Sequence, residues 1–228
     1  MAKKKQPPKK STRFVNEDPW RVFRIMSEFV EGFDELSHLG PAVTVFGSAR
    51  TKPRDKFYKA TVDLSRRLAE NNYAVITGGG PGIMEASNRG ASDAGGRSLG
   101  LNIVLPHEQH PNAYISPEFC FRFHYFGIRK MHFMLRARAV VVFTGGFGTM
   151  DELFEALTLI QTGKSREVPV ILVGHEFWRQ ALNLEFLRDE GLISPEDVNL
   201  IKVVDTADQA WQEIVEHYEI TPGQCPRC

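Results

Sequence analysis

Nine consecutive residues, Thr144-Gly145-Gly146-Phe147-Gly148-Thr149-Met150-Asp151-Glu152, join a glycine-rich turn to a pair of acids. Glycine lets backbone amides close on an anion without a Cβ in the way, and a helix starting at such a turn aims the positive end of its dipole at the same anion. Two further turns have this character, Gly47-Ser48-Ala49-Arg50 and Gly78-Gly79-Gly80-Pro81-Gly82. A phosphate is the natural guest. The chain has no Gly-x-x-x-x-Gly-Lys-Ser/Thr, which argues against a nucleoside triphosphatase. Ile83 breaks the Gly-x-Gly-x-x-Gly spacing of a dinucleotide fingerprint in the second turn, which argues against dinucleotide redox chemistry. Upstream, Arg129 and Lys130 offer a planar fork and a point charge for phosphate or ribose oxygens. The competing reading of that pair is a solvated basic face extended by Arg136 and Arg138. Glu152 also has two readings: Thr149-x-x-Glu152 fits a capping box at a helix start, and the same carboxylate can face a ligand.

These residues need a scaffold that brings distant turns together. From Val43 onward short apolar runs alternate with longer periodic segments: strands at Val43–Phe46, Ala74–Ile76, Ser98–Val104, Val140–Phe143, Val170–Val173 and Ile201–Val204, helices at Tyr58–Asn71, Ile83–Ala94 and Met150–Thr162. The unbroken run Ala139-Val140-Val141-Val142-Phe143 implies burial on both faces of a sheet. The pattern predicts an α/β fold, Rossmann-like and doubly wound, with a mostly parallel sheet and helices on both faces. Ligands of such sheets bind beyond the carboxyl ends of the strands, so all three glycine turns should face one crevice. Leu153, Ala156, Leu157 and Ile160 give the helix after the third turn one apolar face. Phe126 to Met131 should open another helix, and a Pro, His and Asn rich loop lies between Leu105 and Cys120.

The expected organisation is a basic tail over 1–17, an amphipathic helical extension over 18–40, one Rossmann-like domain over 41–220 and a short tail over 221–228. The chain has 228 residues with 28 basic and 28 acidic side chains, so no overall field draws it to nucleic acid and any phosphate site must be local. No run approaches the length of a membrane span, and the lysines near the N-terminus have no apolar segment behind them. Cys120, Cys225 and Cys228 are too few for a secreted disulfide framework, which suits the cytoplasm. Cys225 and Cys228 supply two thiolates against the four ligands of a structural zinc site, and His107, His110, His124 and His132 read as loop or packing residues. Neither a metal nor a cofactor is expected.

The second turn continued through Ile83 and Met84, the Arg129-Lys130 pair and the run from Gly145 to Glu152 resemble the LOG ("Lonely Guy") family, over about Val43 to His217. Its members, once labelled lysine decarboxylases, cleave nucleoside 5'-monophosphates such as AMP and cytokinin ribotides to free base and ribose 5-phosphate. The resemblance implies that Glu152 is the catalytic carboxylate and Arg129 its partner. Gly145, Gly146, Gly148 and Thr149 would hold the 5'-phosphate, and Ser48, Gly79, Gly80, Met84 and Lys130 would complete the site. It further implies a homodimer. Thr144 stands where the family has proline, and Ala49-Arg50 follow Gly47-Ser48 where it has a second serine. The alternative function is a non-catalytic carrier of a nucleotide or phosphorylated cofactor on the same fold. A decarboxylase would need pyridoxal phosphate on a lysine, and Lys130 is better suited as a charge.

Overall fold

The computed structural model describes residues 20–105 and 110–219. The two expected tails, His107, Cys225 and Cys228 lie outside the described residues. Seven strands form one sheet: β1 Ala42–Phe46, β2 Ala74–Thr77, β3 Ser98–Ile103, β4 Cys120–Phe123, β5 Ala137–Phe143, β6 Val170–Val173 and β7 Ile201–Val204. They lie in the order β4-β3-β2-β1-β5-β6-β7 and every pairing is parallel. The helices are α1 Arg21–Glu35, α2 Lys56–Glu70, α3 Ile83–Asp93, α4 Phe126–Leu135, α5 Phe147–Gln161, α6 His175–Ala181, α7 Leu184–Asp189 and α8 Ala207–His217. This is the expected Rossmann-like architecture, with one strand more than the sequence predicts: β4, an edge strand, begins at the end of the expected loop.

The central strands divide their side chains between two cores, as a period of two requires. Val140 and Val142 face the core covered by α4, α5 and the Trp178 side of α6, where Leu36 and Leu39, just beyond α1, are also buried. Ala139, Val141 and Phe143 face the opposite core, closed by α2, α3 and α8. α5 buries Leu153, Ala156 and Ile160 and leaves Leu157 partly covered, which is the predicted face. α1 starts at Arg21 and is further fixed by Glu28. That buried carboxylate accepts from the His124 backbone amide at 3.1 Å and lies 2.8 Å from its Nδ1.

Two details of β5 and α4 bear on the site. Ala42 pairs with Ala137 while Val43 pairs with Ala139, so Arg138 is the extra residue of a β-bulge at the start of β5. Thr44 of β1 donates from Oγ1 to the Phe133 carbonyl at 2.8 Å, tying α4 down on the sheet. A crossover helix runs back against its strands, so the first turn of α4 overlies the carboxyl edge and its end, at Arg136, overlies the opposite edge.

Candidate functional site

The chain leaves β1 toward β2 on one side and β5 toward β6 on the other, so the carboxyl ends of these neighbours open a crevice at the topological switch. All three glycine turns reach it, and the cleft they border has a volume of about 740 Å³, within the range that holds a small ligand. The turns are joined through the backbone of Ser48. Its amide donates to the Thr144 carbonyl at 3.0 Å, and its carbonyl accepts from the Ile83 amide at 3.0 Å. Gly82 makes the second contact possible: its φ is +69°, and a Cβ there would lie 2.4 Å from the Ser48 oxygen.

α5 begins at Phe147 with Gly146 as its N-cap, and no side chain caps it. The first helical amides, from Phe147 to Thr149, therefore have no acceptor within the helix and border the cleft. Gly145 is required by close approach, since a Cβ would meet Thr149 Oγ1 at 2.1 Å. Gly146 and Gly148 are different: nothing lies within 4 Å of where a Cβ would stand. Fold packing does not call for glycine at these two positions, and their bare backbone leaves the space at the helix start open to a guest. The capping-box reading fails on register. Thr149 is the third residue of α5, Glu152 lies beyond the first turn, and its carboxylate turns away from the helix start.

Glu152 Oε1 accepts from Arg129 Nη2 at 3.2 Å, and both side chains are only about a tenth exposed, at 9% and 11%. Arg129 projects from the first turn of α4 between two aromatic rings, its guanidinium carbon 5.0 Å from the Phe126 centroid and 5.4 Å from that of Phe133. Burial pushes the Glu152 carboxyl up to about 7, against the opposing pull of Arg129 and Lys130. The same burial lowers the Arg129 guanidinium, and the neighbouring carboxylate resists it. A carboxyl that exchanges its proton near neutrality, at the floor of a cleft whose wall offers free amides, is equipped for general base or electrostatic work beside a phosphorylated ligand.

Of the residues singled out in the sequence, Ser48, Met84, Arg129, Gly145, Gly146, Gly148, Thr149 and Glu152 border this one cleft. Gly79, Gly80 and Lys130 do not. The carbonyls of Gly79 and Gly80 accept from the Asn112 backbone and side-chain nitrogens at 2.9 and 3.0 Å, so the loop after β3 docks on them. Lys130 lies 2.7 Å from Asp151 and 2.8 Å from Glu155, clasping α4 to α5. The alternative of a continuous basic face also fails, because Arg136 and Arg138 sit at the other edge of the sheet. Sequence reasoning passed over Phe126 and Phe133. Their signal was present, since they stand three residues before and four after Arg129 on one helix, the spacing that puts side chains on one face.

Residues 84–214 match the family model described as "Possible lysine decarboxylase". The cytokinin riboside 5'-monophosphate phosphoribohydrolase LOG3 of Arabidopsis thaliana is 26% identical over 181 residues, covering 77% of this chain and 82% of its own length. Among solved structures, the molybdenum cofactor binding protein of Rippkaea orientalis superposes with a TM-score of 0.58 at 20% identity, covering 78% of this chain and 97% of its own. The molybdenum cofactor carrier protein of Chlamydomonas reinhardtii superposes at 0.56 and 20%, covering 78% and 99%. At such identities these two speak to the fold alone. With more than half of its residues matched by the family model, the chain belongs to the LOG family.

Proposed function

We propose that the protein hydrolyses the N-glycosidic bond of a nucleoside 5'-monophosphate, AMP or a cytokinin ribotide, releasing free base and ribose 5-phosphate. The observation that carries this reading is the buried Glu152–Arg129 pair beside the uncapped start of α5. The activity named for the Arabidopsis relative supports it. In this reading the 5'-phosphate accepts from the first amides of α5, with the Ser48 hydroxyl beside it, and the ribose lies over Glu152. As the C1'–N bond lengthens, positive charge grows on the ribose, and the Glu152 carboxylate stabilises it or takes a proton from the attacking water. The water oxygen bonds to C1' and the departing base nitrogen receives a proton. Arg129 holds the carboxylate in place, and Met84 borders the cleft beside the ligand. No step calls on a cofactor.

The reading also takes the protein as a cytoplasmic homodimer. Phe147 is 97% exposed at the lip of the cleft, and Phe23, Met26 and Val30 of α1 are exposed as well, apolar surface of the kind that a second subunit covers. Among the described residues no helix is long and apolar enough to cross a membrane. The decisive experiment offers purified protein AMP, GMP, CMP, UMP and N6-isopentenyl AMP and measures free base by chromatography. Release from at least one, abolished in Glu152→Gln with binding retained, is the expected result. Binding without release from any of them by the wild-type protein would replace the hydrolase with a carrier.

A further inference from the structure

The helical extension α1 reaches the Glu152–Arg129 pair at one remove. Glu28, near its middle, is 6% exposed, and its two carboxylate oxygens accept from the His124 backbone amide at 3.1 and 3.2 Å, with Oε1 also 2.8 Å from His124 Nδ1. A carboxylate is buried only where bonds of this kind offset its lost hydration. His124 stands one residue before Tyr125, the N-cap of α4, which makes no side-chain cap of its own and whose carbonyl accepts from the Arg129 amide at 3.2 Å. The tie therefore fixes the backbone from which Phe126 and Arg129 project. α1 grips α4 again one turn further on. A Cβ on Gly32 would lie 2.3 Å from His132 Nε2, and that fully buried ring packs against Phe29, Phe33 and Phe123 with no partner for either nitrogen among the described residues. Glu28 and Gly32 are four residues apart on one helix, Arg129 and His132 three apart on the other, so each pair shares a helix face. α1 precedes residues 84–214, the segment that the family model matches.

We propose that Glu28 is a positioning residue: α1 acts as a strap that sets the entry of α4 and, through it, the seat of the Arg129 guanidinium against Glu152. The consequence for rate rests on the proposed hydrolysis. Four charges face the Glu152 carboxyl, Arg129 and Lys130 from α4 and Asp151 and Glu155 from its own helix. Lys130 is clasped to α5 by the two acids, so Arg129 is the charge that a shift of α4 moves most. Glu152 belongs to α5 and keeps its burial when the tie is cut, while part of the opposing pull of Arg129 is lost. The phosphate contacts proposed at the start of α5 do not depend on α4, so ligand binding is spared while the chemical step suffers.

The test is carbon-13 NMR of glutamate-labelled protein, which reads the titration of Glu152 without substrate, its resonance assigned by loss in Glu152→Gln. Glu28→Ala should raise the midpoint above about 7 by about half a pH unit or more. It should also lower kcat for base release about tenfold or more and leave KM for AMP within about twofold. Glu28→Gln, which keeps an oxygen for the His124 amide, should restore most of both. Glu28→Asp, which keeps the charge but lacks the reach, should move both the same way by less, and it decides the matter if the alanine variant does not fold. Ile214→Ala, in the core on the other face of the sheet, should lower the melting temperature and move neither. A midpoint that stays or falls in the alanine and aspartate variants, a loss that falls on KM, or the same changes in Ile214→Ala overturns the proposal. Base released with the midpoint unmoved sinks the strap alone, whereas a raised midpoint with no base released from any nucleotide sinks the hydrolase alone.

Discussion

Replacing Glu152 by glutamine removes a charge and almost no volume, so its effect on stability reports how the carboxyl is held. In the folded protein this carboxyl keeps its proton up to about pH 7, against 4.5 for an ordinary glutamate, because burial penalises the charged form more than Arg129 and Lys130 favour it. A folded-state pKa above the unfolded one means that the folded state binds the proton more tightly. The resulting stabilisation is fully present below pH 4.5 and is lost as pH rises through about 7. At roughly 1.4 kcal/mol per unit, the loss is about 3 kcal/mol. Glutamine does not titrate, so the stability of Glu152→Gln relative to the wild type should climb by about 3 kcal/mol between pH 4.5 and pH 8. The offset at any one pH depends on what Arg129 loses when its counter-charge goes, whereas the slope does not. Urea unfolding followed by tryptophan fluorescence at several pH values measures it. A difference that is flat would mean that the ion pair offsets burial and Glu152 titrates as an ordinary carboxylate, and one that falls as pH rises would mean that the ion pair outweighs burial; either refutes the reasoning.

The remaining expectations use the same geometry. The pH profile of kcat/KM for base release should have an acid limb near pH 7, set by ionisation of Glu152 in the free protein, and a limb near 4 would contradict this assignment. Arg129→Met leaves a buried carboxyl without its partner and should destabilise the protein by about 3 kcal/mol at pH 8 but much less at pH 5, where Glu152 is protonated; calorimetric melting at the two pH values checks it. Gly148→Ala meets no atom within 4 Å of the new Cβ, so unfolding measurements should show stability unchanged or raised by up to about 1 kcal/mol. Its affinity for AMP should nonetheless fall about tenfold or more as the methyl enters the space left for phosphate. Lys130→Met should lower stability by about 1 kcal/mol through loss of the α4–α5 clasp, while KM for AMP stays within about twofold, because Lys130 does not border the cleft.

Much of this arrangement was legible in the chain because burial on two faces leaves a local signature. β5 reads as a central strand since Ala139 to Phe143 must satisfy two cores, and the glycine turns read as strand ends because each follows such a run. β4 was not legible. Cys120-Phe121-Arg122-Phe123 buries only its two phenylalanines at the sheet edge and follows a loop with no periodicity of its own. The contacts of Gly79, Gly80 and Lys130 were not legible for a related reason: Asn112 bonds the two glycine carbonyls, and Asp151 and Glu155 pair with Lys130, through tertiary contacts that no spacing rule encodes. Thr149 and Glu152 matched a capping box in composition, but the close fit of Thr149 against Gly145 starts the helix three residues earlier than that motif requires.

The backbone of Ser48 touches both other turns, and this divides the site into a part that cannot vary and a part that can. A shift at any of the three turns must be shared by all of them, since the amide and carbonyl of one residue are already committed in opposite directions. The end of the cleft proposed to hold the phosphate is therefore a keystone, resistant to gradual change. Met84 and Phe126 border the same cleft outside this backbone junction. If the proposed function holds, new base preferences can arise there by single substitutions while the keystone stays as it is, which lets one inherited anchor serve ligands that differ only at their far end.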